Sequence, residues 1–241
     1  MTEKERLADF IASLEPEKSP LLSRIEKRAG EERIPIIRKE TGALLRTLIA
    51  AVKPQKILEV GTAVGYSALL MAEVMPAGGQ ITTIEKYEKR IPAARENFRR
   101  AGREGQITLL EGDAAHILGD LTGTYELIFM DAAKGQYLAF LEDCLRLLAP
   151  GGLLVSDNVL QDGDIIESRY AVTRRNRTIH TRMRDYLYEL KHHPDLETAI
   201  LPLGDGVTVS VKKGRVLEKW GMRDSFIRIG MPDESGGREL E

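Results

Sequence analysis

The chain contains one cysteine, Cys144, among its 241 residues. That excludes an intrachain disulfide framework, and without a cluster of soft ligands there is no structural zinc site to be found. Long apolar runs are also missing. No segment approaches the ~20 uninterrupted apolar residues of a membrane span, and the opening MTEKERLADFIASLEP is charged from its third residue with no signal-type apolar stretch. These absences predict a cytoplasmic protein of a reducing compartment. Nor does one sign of charge prevail: the formal net charge is −2, so nothing attracts the whole molecule to nucleic acid or anionic membrane, and any RNA footprint has to be local. Internal repeats and low-complexity blocks are absent.

What is present describes an ordinary globule, 42% apolar and 30% charged, long enough to bury one large core. Before Lys56 the apolar spacing is helical in LADFIASL, SPLLSRIEKRAG and TGALLRTLIAAV, with Pro16, Pro20, Pro35 and Pro54 between them. From Lys56 short β-rich runs (KILEV, QITTIE, ITLLEG, YELIFMD, GLLVSDN) alternate with helical ones, the pattern of a parallel sheet covered on both faces. Ala114 to Leu121 is ambiguous, and a long helical stretch is expected from Asn158 to about His193. TAILPLG and GVTVSVKK flank Asp205-Gly206, a tight-turn signal that predicts a closing antiparallel pair. The expected fold class is therefore α/β: a seven-stranded, mostly parallel, Rossmann-like sheet with an antiparallel C-terminal strand. Its expected divisions are an N-terminal helical extension over 1–55, a core over 56–213 and a polar tail over 214–241.

Ligands of open α/β sheets bind outside the carboxyl ends of the strands. Here those ends are acidic: Glu59 and Gly61, Glu85, Gly112-Asp113, Asp131, and Asp157-Asn158. The first turn, ILEVGTAVGYSALL, has Gly61, Ala63 and Gly65 but lacks the last glycine of a dinucleotide fingerprint. Glu85, 24 residues beyond Gly61, stands where a nucleoside-binding sheet places a carboxylate for ribose hydroxyls. Asp113 is positioned for an adenine amino group. A turn with Ala63 points away from NAD and toward S-adenosylmethionine, whose methionine end carries no phosphate. The lack of a Tyr-x-x-x-Lys relay also disfavours a nicotinamide oxidoreductase.

MDAAKGQY and SDNVL bring Asp131, Asp157 and Asn158 to adjacent strand ends, three hard oxygen ligands that suit Mg2+ better than zinc. Lys134, one turn beyond Asp131, is the expected general base, its ammonium form disfavoured beside a divalent cation.

With these residues in view, the chain resembles the metal-dependent class I S-adenosylmethionine O-methyltransferases, the family of catechol and caffeoyl-coenzyme A O-methyltransferases, from Ile34 to Lys213. The matching segments are LEVGTAVGYSAL, TTIEKYEKR, EGDA, FMDAAKGQY, APGGLLVSDNVL and LPLGDGVTVSVKK. Through IPIIRKETG, DNVLQDG, RRNRTIHTRMRDY and HPDLETAILPLGDG it most resembles the bacterial branch that methylates 5-hydroxyuridine at the tRNA wobble position. The resemblance implies a cofactor site of Ile37, Glu59, Gly61, Gly65, Ser67, Glu85, Asp113, Ala114 and Asp131. It implies Mg2+ on Asp131, Asp157 and Asn158, with Asp131 and Lys134 catalytic. Animal catechol enzymes carry bulky residues, including a tryptophan, where this chain has Ala132 and Ala133, and its only tryptophan is Trp220 in the tail. An open mouth suits a base presented on a large RNA, with a small catechol or hydroxycinnamoyl substrate as the alternative.

Residues 165–184 hold six arginines against one acid, Glu167. Of these Arg169, Arg174, Arg175 and Arg177 are expected to contact phosphates of a tRNA anticodon arm. Tyr66, Tyr137 and Tyr170 are candidate stacking rings; the four histidines read as structural or solvated, and Cys144 as a core thiol. The apolar helices outside the sheet predict a homodimer.

Overall fold

The computed structural model describes residues 3–168 and 170–214. Arg169 and nearly all of the predicted tail, Trp220 included, fall outside them.

Three helices precede the sheet: α1 (Glu3–Ser13), α2 (Pro20–Glu32) and α3 (Lys39–Val52). Helix α2 starts where Ser19 accepts the Leu22 N–H and Pro20 occupies the first turn, a position needing no N–H donor. Seven strands follow: β1 (Lys56–Val60), β2 (Gln80–Glu85), β3 (Ile107–Glu111), β4 (Tyr125–Met130), β5 (Leu148–Ser156), β6 (Leu196–Leu201) and β7 (Val207–Lys212). Their order is β3-β2-β1-β4-β5-β7-β6. The first five pair in parallel, whereas β7 runs antiparallel between β5 and β6. Helices α4 (Tyr66–Ala72), α5 (Ile91–Arg100), α6 (Ala114–Asp120), α7 (Tyr137–Leu147) and α8 (Arg177–His192) supply the crossovers and the last cover.

Side chains of a strand alternate between faces, so an uninterrupted apolar strand needs cover on both. Ile57, Leu127 and Phe129 join one core with Leu45 and Ile49 of α3, Leu69 of α4 and Phe98 of α5. Leu58, Ile128 and Met130, one residue out of phase, join the other with Leu118 of α6, Cys144 of α7 and Tyr186 of α8. Helices α2, through Leu22 and Ile25, and α3 thus share a core with the sheet. Burial pushes the Cys144 thiol up to about 12, as befits an inert core residue.

The continuous helix expected after Asn158 is not there. A 3-10 turn covers Gln161–Ile166 and α8 begins only at Arg177. Asn158, Gln161 and Gly163 all have positive φ, at 61°, 54° and 98°, and a right-handed helix cannot run through left-handed residues. The ambiguous stretch after Asp113 is the helix α6.

Candidate active site

At the end of β1 the chain turns tightly against its neighbours. The N–H groups of Gly61 and Thr62 both donate to Ile84 O, at 3.0 and 3.2 Å. Gly61 has φ +106°, and a Cβ there would lie 2.2 Å from the main-chain oxygen of Asp131, so only glycine lets the turn meet β4. Ala63 takes φ +47°, and its N–H donates to Glu85 Oε2 at 2.7 Å. Tyr87 N–H supplies the other carboxylate oxygen, again at 2.7 Å. Glu85 is thereby fixed with lone pairs left over for a ligand.

The turn faces a cleft of about 440 Å³, within the range of small-molecule sites. Ile37, Gly61, Ser67, Glu85, Asp113 and Ala114 line one part of it, and Asp131, Lys134 and Asn158 the other. Two expected cofactor contacts are not on its wall. Glu59 is fully buried behind the turn, accepting from Ser67 Oγ and Thr83 Oγ1, both at 2.5 Å. Burial pushes its carboxyl up to about 7, although the two hydroxyls pull the other way. Gly65 faces the Phe98 ring, which a Cβ would meet at 2.5 Å. Both support the turn from behind. Asp113 is at once cleft wall and N-cap: it accepts from Ala115 N at 3.0 Å, which with the nearby Lys86 holds its carboxyl below the usual range.

Of the three expected metal ligands, Asp131 and Asn158 line the cleft and Asp157 does not. Asn158 Nδ2 donates to Asp131 Oδ1 at 2.9 Å. Asp157, 2% exposed, accepts from its neighbour's N–H at 2.8 Å and from Thr41 Oγ1 at 3.3 Å. Burial, then the charge of Asp157, push the Asp131 carboxyl up to about 7, and burial raises Asp157 as well. The Asn158 amide turns its nitrogen to Asp131; a half-turn offers its oxygen. Lys134 opens a short 3-10 turn, Lys134–Gln136. Its Nζ lies 2.9 Å from Asp205 Oδ2.

Asp205 and Thr41 were missed in the sequence, the first because its Asp-Gly pair reads only as a turn. Tyr87 and Phe140 also line the cleft; Tyr87, two residues past Glu85, was the more accessible to inference. Of the three candidate stacking rings, Tyr66 is part of the cleft lining and the other two are not. Tyr137 is fully buried, edge-on to Tyr186, with its hydroxyl on Asp157 O at 3.0 Å. The Tyr66 ring is 3% exposed and its hydroxyl accepts from Lys18 Nζ at 2.9 Å. Tyr170 is 80% exposed, with the Arg177 guanidinium over its ring. Arg174 and Arg175 are exposed, whereas Arg182 and Arg184 donate to Gly135 O and Ile165 O at 3.0 and 3.1 Å. The arginine-rich stretch is therefore part surface charge and part bracing. Of the histidines, His180 is buried and His192 stacks on Tyr188.

A mostly parallel sheet with acids near the ends of its first strands, and a turn whose N–H groups are already engaged, fits the class of S-adenosylmethionine-dependent methyltransferases. The family model described as O-methyltransferase matches residues 13–213, and the chain belongs to that family. It is 37% identical over 130 residues to a catechol O-methyltransferase of Niastella koreensis, an alignment spanning 52% of this chain and 59% of that enzyme. It is 31% identical over 184 residues to caffeoyl-CoA O-methyltransferase 2 of Populus trichocarpa, across 70% of this chain and 72% of the relative. An S-adenosylhomocysteine-bound methyltransferase of Podospora anserina superposes with a TM-score of 0.79 at 27% identity, covering 89% of this chain and 97% of that one. Among the described residues no helix is long and apolar enough to cross a membrane.

Proposed function

We propose that this protein methylates one of two vicinal oxygens on an aromatic ring, with Mg2+ held by Asp131, Asp157 and Asn158, and that its substrate is 5-hydroxyuridine at the tRNA wobble position. The observation that carries the chemistry is the convergence of Asp131 and Asn158, 2.9 Å apart, at the wall of the cleft that Glu85 and Asp113 also line. S-adenosylmethionine supplies an electrophilic sulfonium methyl when bound, and a divalent cation favours a deprotonated substrate oxygen.

The chain's own residues do the rest. Glu85 and Asp113 accept hydrogen bonds from a nucleoside, and Ser67 and Gly61 shape the turn beneath its tail. Lys134 takes the proton from the hydroxyl to be methylated. Holding the reactants in one orientation in a cleft with buried walls provides most of the rate.

The tRNA assignment is supported by exposed Arg174 and Arg175 with half-buried Arg177, on the chain that leaves the metal-ligand strand. Ala132 and Ala133 present small side chains to the cleft. In 5-hydroxyuridine the C5 hydroxyl and C4 carbonyl are vicinal, and an anticodon base needs no duplex opened. Incubating tRNA with enzyme, S-adenosylmethionine and Mg2+, then analysing its nucleosides, tests the reading. Unchanged 5-hydroxyuridine beside an efficiently methylated catechol would replace it with the second reading, a small catechol or hydroxycinnamoyl substrate, which the names of the Niastella and Populus relatives favour. The proposal includes a homodimer, supported by the exposed apolar residues Leu7, Phe10 and Ile11 of α1 and Leu14 just beyond it.

A further inference from the structure

Lysine is a flexible point charge on a four-carbon stem, and nothing in its own chemistry holds it at one place. Here something does. Asp205 Oδ2 is 2.9 Å from Lys134 Nζ, across 71 residues of sequence. The carboxylate side chain is 4% exposed while the lysine side chain is 34% exposed, so the acid is the fixed end of the pair and the amine reaches the cleft. Asp205 is itself clamped. Its carbonyl accepts Leu160 N–H at 2.9 Å, and Gly206 O accepts Val159 N–H at 3.0 Å. Gly206 has φ +86°, and a Cβ there would come within 2.2 Å of Leu160. The turn between β6 and β7 is thus stitched to the residues that directly follow Asp157 and Asn158. Asp205 thus joins the loops after β4, β5 and β6, its carboxylate meeting Lys134 and its main-chain carbonyl the Leu160 N–H.

We propose that Asp205 is a positioning residue for the methyl transfer: it holds Lys134 Nζ at the metal-ligand end of the cleft and pairs with the ammonium that forms when Lys134 takes the substrate proton. This rests on the reading of Lys134 as proton acceptor. The step balances: Nζ, starting as the neutral amine, takes the proton on its lone pair, the substrate oxygen uses its freed pair to form the O–CH3 bond, and the methyl–sulfur bond breaks with its pair left on sulfur, so that the leaving group is the neutral thioether S-adenosylhomocysteine. An acid that orients a base and stabilises its protonated form is a recurrent device of proton-transfer sites. Because Asp205 lies behind the lysine, its loss should affect turnover and leave cofactor binding alone.

The test uses the full chain with Mg2+, S-adenosylmethionine and two probes, 5-hydroxyuridine-containing tRNA and 1,2-dihydroxybenzene. Asp205→Asn is expected to lower kcat roughly tenfold or more with the S-adenosylmethionine Kd unchanged, and Asp205→Glu to recover part of it. In Lys134→Ala the further change Asp205→Asn should cost nothing more, because the two residues act as a unit. A merely structural ion pair would instead lower the melting temperature and leave kcat within about twofold, and that result overturns the proposal. If Asp205→Asn fails to fold, Asp205→Glu is read alone: wild-type kcat overturns the proposal, reduced kcat with intact cofactor affinity supports it. If Lys134→Ala keeps wild-type turnover, or the wild type methylates neither probe, the functional reading itself fails and this inference with it.

Discussion

Glu59 offers a quantitative test of how the cleft is supported. Its carboxyl sits fully buried behind the first turn, raised from 4.5 to about 7. A raised value means that the folded protein binds the proton more tightly than the unfolded chain does. Below about 4.5 the folded state keeps the whole benefit, and as the pH rises through 7 the benefit is lost. At about pH 8 the ionised group costs the fold about 3 kcal/mol. Glu59→Gln removes that cost and keeps the side chain's length; its amide oxygen accepts from one of Ser67 and Thr83 and its nitrogen donates to the other. The variant's stability relative to wild type should therefore grow by about 2–3 kcal/mol between about pH 5 and about pH 8, read from urea denaturation at each pH. A difference that does not change with pH refutes the reasoning, because an uncharged cause such as repacking has no reason to titrate.

Four further outcomes are expected. Asp131, at about 7, must release a proton to bind a cation, so calorimetric Mg2+ affinity should weaken roughly tenfold from about pH 8 to about pH 6; equal affinities contradict the proposed ligand set. Gly61→Ala drives a methyl toward the Asp131 main-chain oxygen, with an expected stability loss of about 2–4 kcal/mol and weakened S-adenosylmethionine binding by fluorescence titration. Changing Arg174, Arg175 and Arg177 together to Glu should produce a large, salt-dependent loss of tRNA methylation while 1,2-dihydroxybenzene turnover stays within about twofold; equal losses on both substrates count against a phosphate-contacting role. Leu7, Phe10 and Leu14 changed together to Ser should yield monomers in sedimentation if a second copy covers α1.

The strands were legible in the sequence because each is a short, nearly continuous apolar run, and the mostly parallel character of the sheet follows from the same texture, whereas the strand order comes only from the structure. The carboxylates at the strand ends were legible for a related reason: a polar residue that ends an apolar run is conspicuous. Asp131, Asn158, Glu85 and Asp113 all reach the cleft as read. What escaped was the distinction between touching a ligand and holding the group that does. Glu59 stands one residue before the end of β1 and Glu85 at the end of β2, yet only Glu85 lines the cleft, and a reading of both as strand-end acids does not separate them. Asp205 escaped because a turn signal accounts for an Asp-Gly pair completely; only the tertiary structure brings β6–β7 against the Lys134 loop. The break after Asn158 was invisible because Gln161 has nothing in its chemistry to announce a left-handed conformation.

The difference between a dinucleotide turn and this one comes down to where one amide proton points. Glycine-rich phosphate turns leave their N–H groups free for the pyrophosphate. Here the Ala63 N–H is committed to the Glu85 carboxylate, and those of Gly61 and Thr62 to Ile84 O. An anion approaching this turn would find three donors already engaged and a carboxylate among their acceptors. A sulfonium carrying a zwitterionic methionine meets no such repulsion, and the acid that holds the turn, Glu85, also lines the cleft. Alanine at position 63 is thus consistent with its role: once its amide serves Glu85, no phosphate has to come close enough to require glycine.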